Sequence, residues 1–129
     1  MDITRFERLQ TAANNDPEFR IAARFWDTVL RITMGDTAHL LYIRDGQMTA
    51  VRPWDPMQQV WTSWQVSITA PAEDWSKFLA PLPPPFYQDL WGATLHHGFT
   101  VEGDLASFYP YYPAMRRLFD LMRAVVREA

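Results

Sequence analysis

The sequence predicts an α+β fold in which helices cover a mostly antiparallel, five-stranded sheet. The middle of the chain alternates apolar and polar residues with a period of two, which is typical of half-buried strands. Turn-forming pairs such as Asp45-Gly46 separate those stretches, and both ends of the chain carry apolar residues at helical spacing. A chain of 129 residues, 48% of them hydrophobic, fits one domain spanning residues 1–129.

Two helices are predicted before the first strand. Residues 3–13 place apolar side chains near helical spacing, and Asp2 stands before them as an N-cap. Asp16 is a second N-cap, because Pro17 follows at the first helical position and Glu18 adds an acid to the first turn. The chain therefore opens with two consecutive helices.

Three strands with tight turns follow these helices. Residues 26–34 alternate, Gly35-Asp36 breaks the pattern, and residues 39–44 resume it, which predicts an antiparallel hairpin. Residues 47–52 form the third strand. Residues 53–56 are expected to end it and to begin a loop, because proline cannot donate a backbone hydrogen bond.

A fourth strand and a helix come next. Residues 64–69 alternate again, and Pro71 with two acids then opens a helix whose inner face is apolar. The prolines between residues 81 and 85 predict an extended spacer rather than a polyproline ligand.

The last part of the chain is expected to supply a helix, a strand and a closing helix. Residues 86–97 form the first helix, with Gly98 as a left-handed C-cap residue. Residues 99–102 form the fifth strand, and Gly103-Asp104 turns the chain, Asp104 capping nearby amides. The closing amphipathic helix starts near Pro113 and carries a wide apolar stripe.

This order of elements resembles the sterol carrier protein type two family. The nearest local matches are residues 66–75 (VSITAPAEDW), residues 98–105 (GFTVEGDL) and the turn Asp45-Gly46. The resemblance covers residues 25–126 by element order. The proline run and residues 108–113 are bulkier and more aromatic than we expect in that family, so a sterol is not implied.

The resemblance implies an internal tunnel that holds an apolar small molecule, such as a lipid, a sterol or an isoprenoid-like compound. Composition agrees, because six Trp, five Tyr and eight Phe exceed what the core of so small a domain needs. Such pockets are mostly apolar, with a few polar groups that fix the ligand's orientation. The candidate lining residues, taken from the last three helices, are Trp75, Phe78, Phe86, Trp91, Leu95, Phe108, Tyr111, Tyr112, Met115 and Phe119.

Two other functions are kept as alternatives. A cofactor-free isomerase, cyclase or dehydratase would need a titratable pair in an apolar pocket, for which His97 and Asp104 are the candidates. The surplus aromatic residues could instead form a homodimer seam or a surface for a partner enzyme. We favour a carrier domain that encloses its ligand and presents it to an enzyme, without catalysis of its own.

Composition argues against several other classes. A net charge of −3 supplies no broad positive field for nucleic acid. Without Cys, and with His96 and His97 pointing about 100° apart on a regular helix, no metal site is expected. No glycine loop for phosphates is present, so no cofactor is predicted. The absence of a transmembrane segment or signal peptide predicts a cytoplasmic protein.

Overall fold

The fold is described by a computed structural model over residues 1–55, 57 and 63–128. Its helices are α1 (Ile3–Asn14), α2 (Pro17–Ala22), α3 (Ala72–Phe78), α4 (Leu90–His96), α5 (Leu105–Phe108) and α6 (Tyr112–Arg127). Its strands are β1 (Asp27–Met34), β2 (Thr37–Arg44), β3 (Gln47–Trp54), β4 (Val66–Ala70) and β5 (Thr100–Gly103), and a 3₁₀ turn, Tyr109–Tyr111, joins α5 to α6. The loop predicted after Asp55 falls mostly outside the described residues.

The five strands form one sheet in the order β3-β2-β1-β4-β5. Three neighbouring pairs are antiparallel, while the central strands β1 and β4 run parallel. The predicted α+β class with a mostly antiparallel sheet is therefore confirmed. The predicted alternation in β1 is also confirmed, because Leu30 and Ile32 are buried in the core whereas Val29 and Arg31 are only half-buried.

The prediction that the third strand ends before Pro53 is wrong. Strand β3 continues to Trp54, with Pro53 opposite His39 and Trp54 opposite Ala38. β3 is an edge strand with a neighbour on one side only. Proline is tolerated there because its nitrogen is not required for a second ladder of hydrogen bonds.

Both predicted N-caps at the start of the chain are confirmed. The Asp2 carboxylate accepts a hydrogen bond from the Arg5 amide at 3.0 Å, and the Asp16 carboxylate accepts one from the Phe19 amide at 2.8 Å. Asp16 also accepts two hydrogen bonds from the Arg117 guanidinium, each 2.9 Å long. This bidentate pair ties α2 to α6 across the molecule.

Asp16→Asn is expected to lower the free energy of unfolding by about 1 kcal/mol near neutral pH. Asparagine keeps the N-cap but removes the charge that pairs with Arg117. The hydrogen bonds from Arg117 hold the pKa of Asp16 below its usual value of 3.8. The ion pair therefore stabilises the fold above that value, and its contribution is lost as the pH falls through the lowered pKa. Urea unfolding as a function of pH tests this: a stability difference that persists undiminished in acid would contradict it.

The helix predicted for residues 86–97 is shorter than expected. It begins only at Leu90, where Asp89 is the N-cap and accepts a hydrogen bond from the Trp91 amide. Before it, Phe86 has a φ of 67° and the Tyr87 amide bonds to the Pro84 carbonyl at 3.0 Å. A proline followed by a residue with positive φ is typical of a type II turn, so the proline run ends in a turn instead of extending throughout.

Gly98 does not have the predicted left-handed conformation. The helix α4 ends with His97 in an extended conformation, at a φ of −134°. Gly98 instead packs closely against its neighbours, since a Cβ there would lie 2.6 Å from Asp74 Oδ2 and 3.2 Å from Pro71 Cδ. Glycine therefore stands at the helix end as predicted, but in a closely packed position and not in a left-handed one.

The turn at Gly103 and the closing helix are as predicted. Asp104 caps α5, since its carboxylate accepts hydrogen bonds from the Ser107 amide at 3.2 Å and the Ser107 hydroxyl at 2.6 Å. Helix α6 begins at Tyr112 with Pro113 in its first turn. The short helix α5 and the 3₁₀ turn that follows it were not predicted, because such short elements hold too few residues to show a helical period.

Candidate ligand-binding site

An interlocked cluster of rings lies between the sheet and the last helices. Phe78 is its centre, with ring centroids of Phe99 and Phe119 each 4.9 Å away and that of Trp75 at 5.7 Å. All four rings are buried. Trp75 also donates its indole N–H to the Thr33 carbonyl at 2.8 Å, which fixes this large ring against β1. Three of the four were predicted as lining residues, and Phe99 was not.

A second group of rings surrounds Phe108, which is also buried. The Tyr112 ring meets Phe108 edge-on at 6.1 Å, and Trp26 lies on another side at 6.4 Å. Trp26 in turn stacks on Tyr111 with centroids 5.0 Å apart. This group connects the start of β1 with the segment from α5 to α6.

An open cleft of about 300 Å³ lies at the surface beside this second group. We call this opening the aromatic cleft. It is lined by Asp89, Trp91, Tyr109, Tyr112 and Arg116. Trp91 and Tyr109 meet edge-on at 5.8 Å and remain 50% and 45% exposed. Tyr109 then contacts the buried Phe108 at 6.0 Å, so rings lead continuously from the surface to the interior.

A hydrogen-bonded network closes the inner side of the aromatic cleft. The Tyr112 hydroxyl donates to Asp89 at 2.8 Å and accepts from the Trp91 amide at 2.9 Å. Arg116 donates to the other oxygen of Asp89 at 3.0 Å. Burial, together with the hydrogen bond to Asp89, raises the pKa of Tyr112, so its phenol stays protonated and remains a donor.

A smaller cleft of about 230 Å³ also has the Asp89–Arg116 pair among its lining residues. Phe78 and Phe119 of the first ring cluster line this smaller cleft as well. The ion pair therefore lines two surface openings, each adjoining one of the two ring groups.

The remaining predicted lining residues lie in different environments. Met115 is fully buried in the core. Phe86 and Leu95 are exposed, at 51% and 66%, and the Phe86 ring stacks on His96 at 3.8 Å. The structure thus brings eight of the ten predicted residues to the interior or the aromatic cleft and leaves these two at the surface.

Comparison with solved structures identifies the fold of the chain. The crystal structure of sterol carrier protein 2 is 18% identical and has a TM-score of 0.75, with 93% of this chain and 94% of that chain covered. The chain therefore has the sterol carrier protein 2 fold. The solution structure of a conserved hypothetical protein from Thermus thermophilus, described as a candidate sterol carrier protein, also has a TM-score of 0.75, at 17% identity, covering 96% of this chain and 87% of that one.

A third structure with the sterol carrier protein 2 fold is a UbiJ-SCP2 ubiquinone synthesis protein. It is 19% identical with a TM-score of 0.57, and 90% of each chain is covered. Neither a protein-family model nor a curated protein matches the chain. At these identities the comparison shows the fold, and the resemblance to sterol carrier proteins expected from the sequence is confirmed at that level.

The alternative catalytic pair, His97 and Asp104, is engaged elsewhere in this sterol carrier protein 2 fold. The His97 ring stacks on Tyr87 at 3.6 Å, and its Nε2 lies 3.0 Å from the Pro85 carbonyl. Hydrogen bonds from Ser107 lower the pKa of Asp104. Each of the two side chains is thus held by contacts of its own segment, and within the described residues no hydrogen bond or ion pair joins His97 to Asp104.

Neither a cluster of metal ligands nor a membrane-spanning helix occurs in the described part of the chain. No group of three His, Asp or Glu side chains there is arranged to hold a metal ion. None of its helices combines the length and the apolar character that a membrane span needs.

Several residues of the site were not predicted from the sequence. Ring contacts are made by Trp26, Phe99 and Tyr109, and Asp89 accepts the hydrogen bonds of the network that closes the aromatic cleft. Asp89 was detectable as the polar residue directly before an apolar helical stretch, the usual signal for an N-cap. Trp26 begins the alternating stretch 26–34, but nothing local indicates that it reaches a segment near the other end of the chain.

Proposed function

We propose that the chain binds an apolar small molecule, such as a lipid, a sterol or an isoprenoid-like compound, and presents it to an enzyme. The fold supports this, because the structures it resembles include sterol carrier proteins. The observation that carries the proposal is the aromatic cleft, which leads through Tyr109 to the buried Phe108. We also propose that residues 1–129 act as one domain in this role.

The ligand is expected to enter at the aromatic cleft and to lie between the sheet and helices α3 and α6. The interior rings touch one another, so a ligand gains room only when some of them move. The segment from Leu105 to Tyr111 is the part best suited to move. It contains one helix of four residues and a 3₁₀ turn, and such short elements open at low cost.

Polar groups at the mouth would orient the ligand. The Tyr112 hydroxyl already donates its proton to Asp89, whereas the Arg116 side chain is 64% exposed and uses only its Nε for Asp89. An amphipathic ligand can place its apolar part among the rings and its hydroxyl or carbonyl oxygen beside the terminal nitrogens of Arg116.

Trp91→Ala is expected to weaken the binding of a fluorescent sterol or fluorescent fatty acid by about tenfold. The substitution removes a half-exposed ring from the cleft and leaves the core unchanged. Titration followed by fluorescence gives the dissociation constants. Leu82→Ala is the matched control, since Leu82 is 91% exposed and lies outside the cleft.

Two results would oppose the proposal. Wild-type protein that binds none of the probes, and that carries no apolar compound in native mass spectra after purification, would refute ligand binding. Equal loss of affinity in Trp91→Ala and Leu82→Ala would place the ligand away from the aromatic cleft.

A further inference from the structure

An arginine contacts two tryptophans on the face of the sheet opposite the helices. Leu30 and Ile32 of β1 belong to the core, so Arg31, which stands between them in the strand, projects from the opposite face. The Arg31 guanidinium lies over two indole rings, with its central carbon 4.6 Å from the Trp54 centroid and 4.3 Å from the Trp64 centroid. We call these three residues the arginine–tryptophan site.

The two rings of this site stand on well-fixed backbone. Next to Trp64, the Gln65 amide donates to the Val29 carbonyl at 2.9 Å, and the Val29 amide donates to the side-chain oxygen of Gln65 at 2.7 Å. A Cβ at Gly103 would lie 3.1 Å from Trp64 Cζ3, so this ring packs directly on the backbone of β5. Trp54 is held in the ladder between β3 and β2. The site is therefore built on the sheet itself.

Arg31 uses only part of its hydrogen-bonding capacity. Its Nε donates to the Ser67 hydroxyl at 2.9 Å, and Ser67 is fully buried. Within residues 1–55, 57 and 63–128, no hydrogen bond or ion pair involves the terminal nitrogens of Arg31. An arginine carries five N–H donors in a planar fork, and all but one of them belong to these terminal nitrogens. The half-buried side chain thus keeps its fork free for an outside acceptor.

A second donor without a partner belongs to the same site. The indole N–H of Trp54 is buried and has no hydrogen-bond acceptor among the described residues. Such groups are uncommon in folded proteins, because the hydration lost on burial is not replaced. By contrast, the buried Trp75 indole donates to the Thr33 carbonyl. Since the Trp54 ring and the Arg31 guanidinium are in contact, one ligand can supply acceptors to both.

The charge of Arg31 is only partly offset. Burial lowers the pKa of Arg31, while the nearby Glu102 carboxylate opposes that shift, and an arginine keeps its charge at neutral pH. Arg31 and Glu102 are both opposite Ser67 in the sheet register, yet within the described residues they form no ion pair. A partly desolvated cation in this position gains from a bound anion.

We propose that the arginine–tryptophan site binds a small carboxylic acid as its monoanion. The carboxylate accepts two parallel hydrogen bonds from the Arg31 fork, and the Trp54 indole N–H is a further donor. A monoanion fits better than a dianion such as phosphate, because one guanidinium offsets one charge and Glu102 repels a second. An aromatic acid such as benzoate can also place its ring on the partly exposed Trp64 indole.

This site is distinct from the aromatic cleft and from the two groups of rings. Arg31 projects from the face of the sheet opposite the core in which Phe78 and Phe108 are buried. Binding of a small acid there does not require that the chain carry a lipid or a sterol. The result for this site is therefore independent of the proposed function.

The test is a titration with benzoate followed by ¹H–¹⁵N NMR, in which each tryptophan indole N–H gives its own signal. The Trp54 indole signal is expected to shift most and to saturate with a dissociation constant of about 1 mM. Benzamide has nearly the same shape without the charge and should cause no saturable shift. Benzamide that binds as well as benzoate, or a Trp54 signal that benzoate does not move, would overturn the proposal.

Substitutions at the site have separate expected effects on benzoate binding, with the Trp64 indole signal as the probe. Arg31→Gln should weaken it by about thirtyfold, and Arg31→Lys, which keeps the charge but not the planar fork, by about fivefold. Trp54→Phe keeps a ring but removes the indole N–H, and should weaken binding by about fivefold. Glu102→Gln removes the repelling charge and should strengthen it by about threefold. Unchanged affinity in Arg31→Gln and Trp54→Phe would contradict the assignment.

Arg44→Gln is the matched control for loss of charge. Arg44 is an exposed arginine at the end of β2, and this variant should bind benzoate within about twofold of wild type. The same spectra show whether each variant is folded. Equal loss of affinity in Arg44→Gln and Arg31→Gln would reduce the effect to general charge and overturn the proposal. Loss in Arg116→Gln in place of Arg31→Gln would put benzoate in the aromatic cleft, and phosphate bound as tightly as benzoate would reject a carboxylate site; either result also overturns it.

Discussion

Gly103→Ala is expected to lower the free energy of unfolding by roughly 3 kcal/mol. Gly103 has a φ of 111°, a conformation that residues with a side chain rarely adopt. An added Cβ would lie 2.0 Å from the Gln65 carbonyl oxygen, far inside contact distance. That oxygen also accepts the Asp104 amide at 2.8 Å, so it cannot retreat without loss of a hydrogen bond that joins β5 to the start of β4.

Gly92→Ala is the matched control for this substitution. Gly92 lies in α4, and a Cβ there would have its nearest neighbour, the Phe86 carbonyl oxygen, at 3.4 Å. Alanine should stabilise the helix by up to about 1 kcal/mol, since glycine is the weaker helix former. Urea unfolding with an unchanged m value measures both effects. Similar stabilities for the two variants would show that the turn at Gly103 is not constrained as described.

The Gly103 turn illustrates which features of this fold are predictable from sequence. Caps and tight turns depend on residues close in the chain: Asp2 and Asp16 are N-caps as predicted, and Asp104 caps nearby amides after the predicted turn. The strand alternation is equally local, which explains why the sheet was predicted with its five strands. The end of β3 was mispredicted because tolerance of Pro53 depends on the strand's position at the sheet edge, and that position follows from the whole topology.

The candidate site was predictable in composition but not in geometry. An excess of rings indicated that the last helices line a ligand site, yet Phe86 is exposed within the turn at residues 84–87 and Leu95 lies on the face of α4 away from the buried Leu90 and Ala93. The positive φ of Phe86 depends on its position after Pro85 in that turn and delays α4 to Leu90. Likewise, the contact between Trp26 and Tyr111 depends on the packing of α6 beside α2, which no local pattern encodes.

Phe78→Ala is expected to lower the free energy of unfolding of the ligand-free protein by about 3–5 kcal/mol. Phe78 is fully buried, and its ring contacts Trp75, Phe99 and Phe119. The Arg123 guanidinium also lies over this ring, 4.8 Å from its centroid. Removal of the ring leaves a void that these rigid neighbours can fill only in part. Phe25→Ala makes the same chemical change at an exposed ring and should alter stability by less than about 0.5 kcal/mol.

The response of Phe78→Ala to lipid distinguishes an interior that accepts ligand from one that only stabilises the fold. A ligand that binds the folded state alone stabilises it by an amount that grows with the logarithm of the ligand concentration divided by its dissociation constant, and the melting temperature rises accordingly. If the space around Phe78 is the proposed ligand site, a sterol or fatty acid should raise the melting temperature of the variant more than that of wild type, because it replaces the missing ring without displacing one. The same rise in both proteins would mean that the ligand binds elsewhere, and the path from the aromatic cleft would then end at Phe108 without reaching the cluster around Phe78.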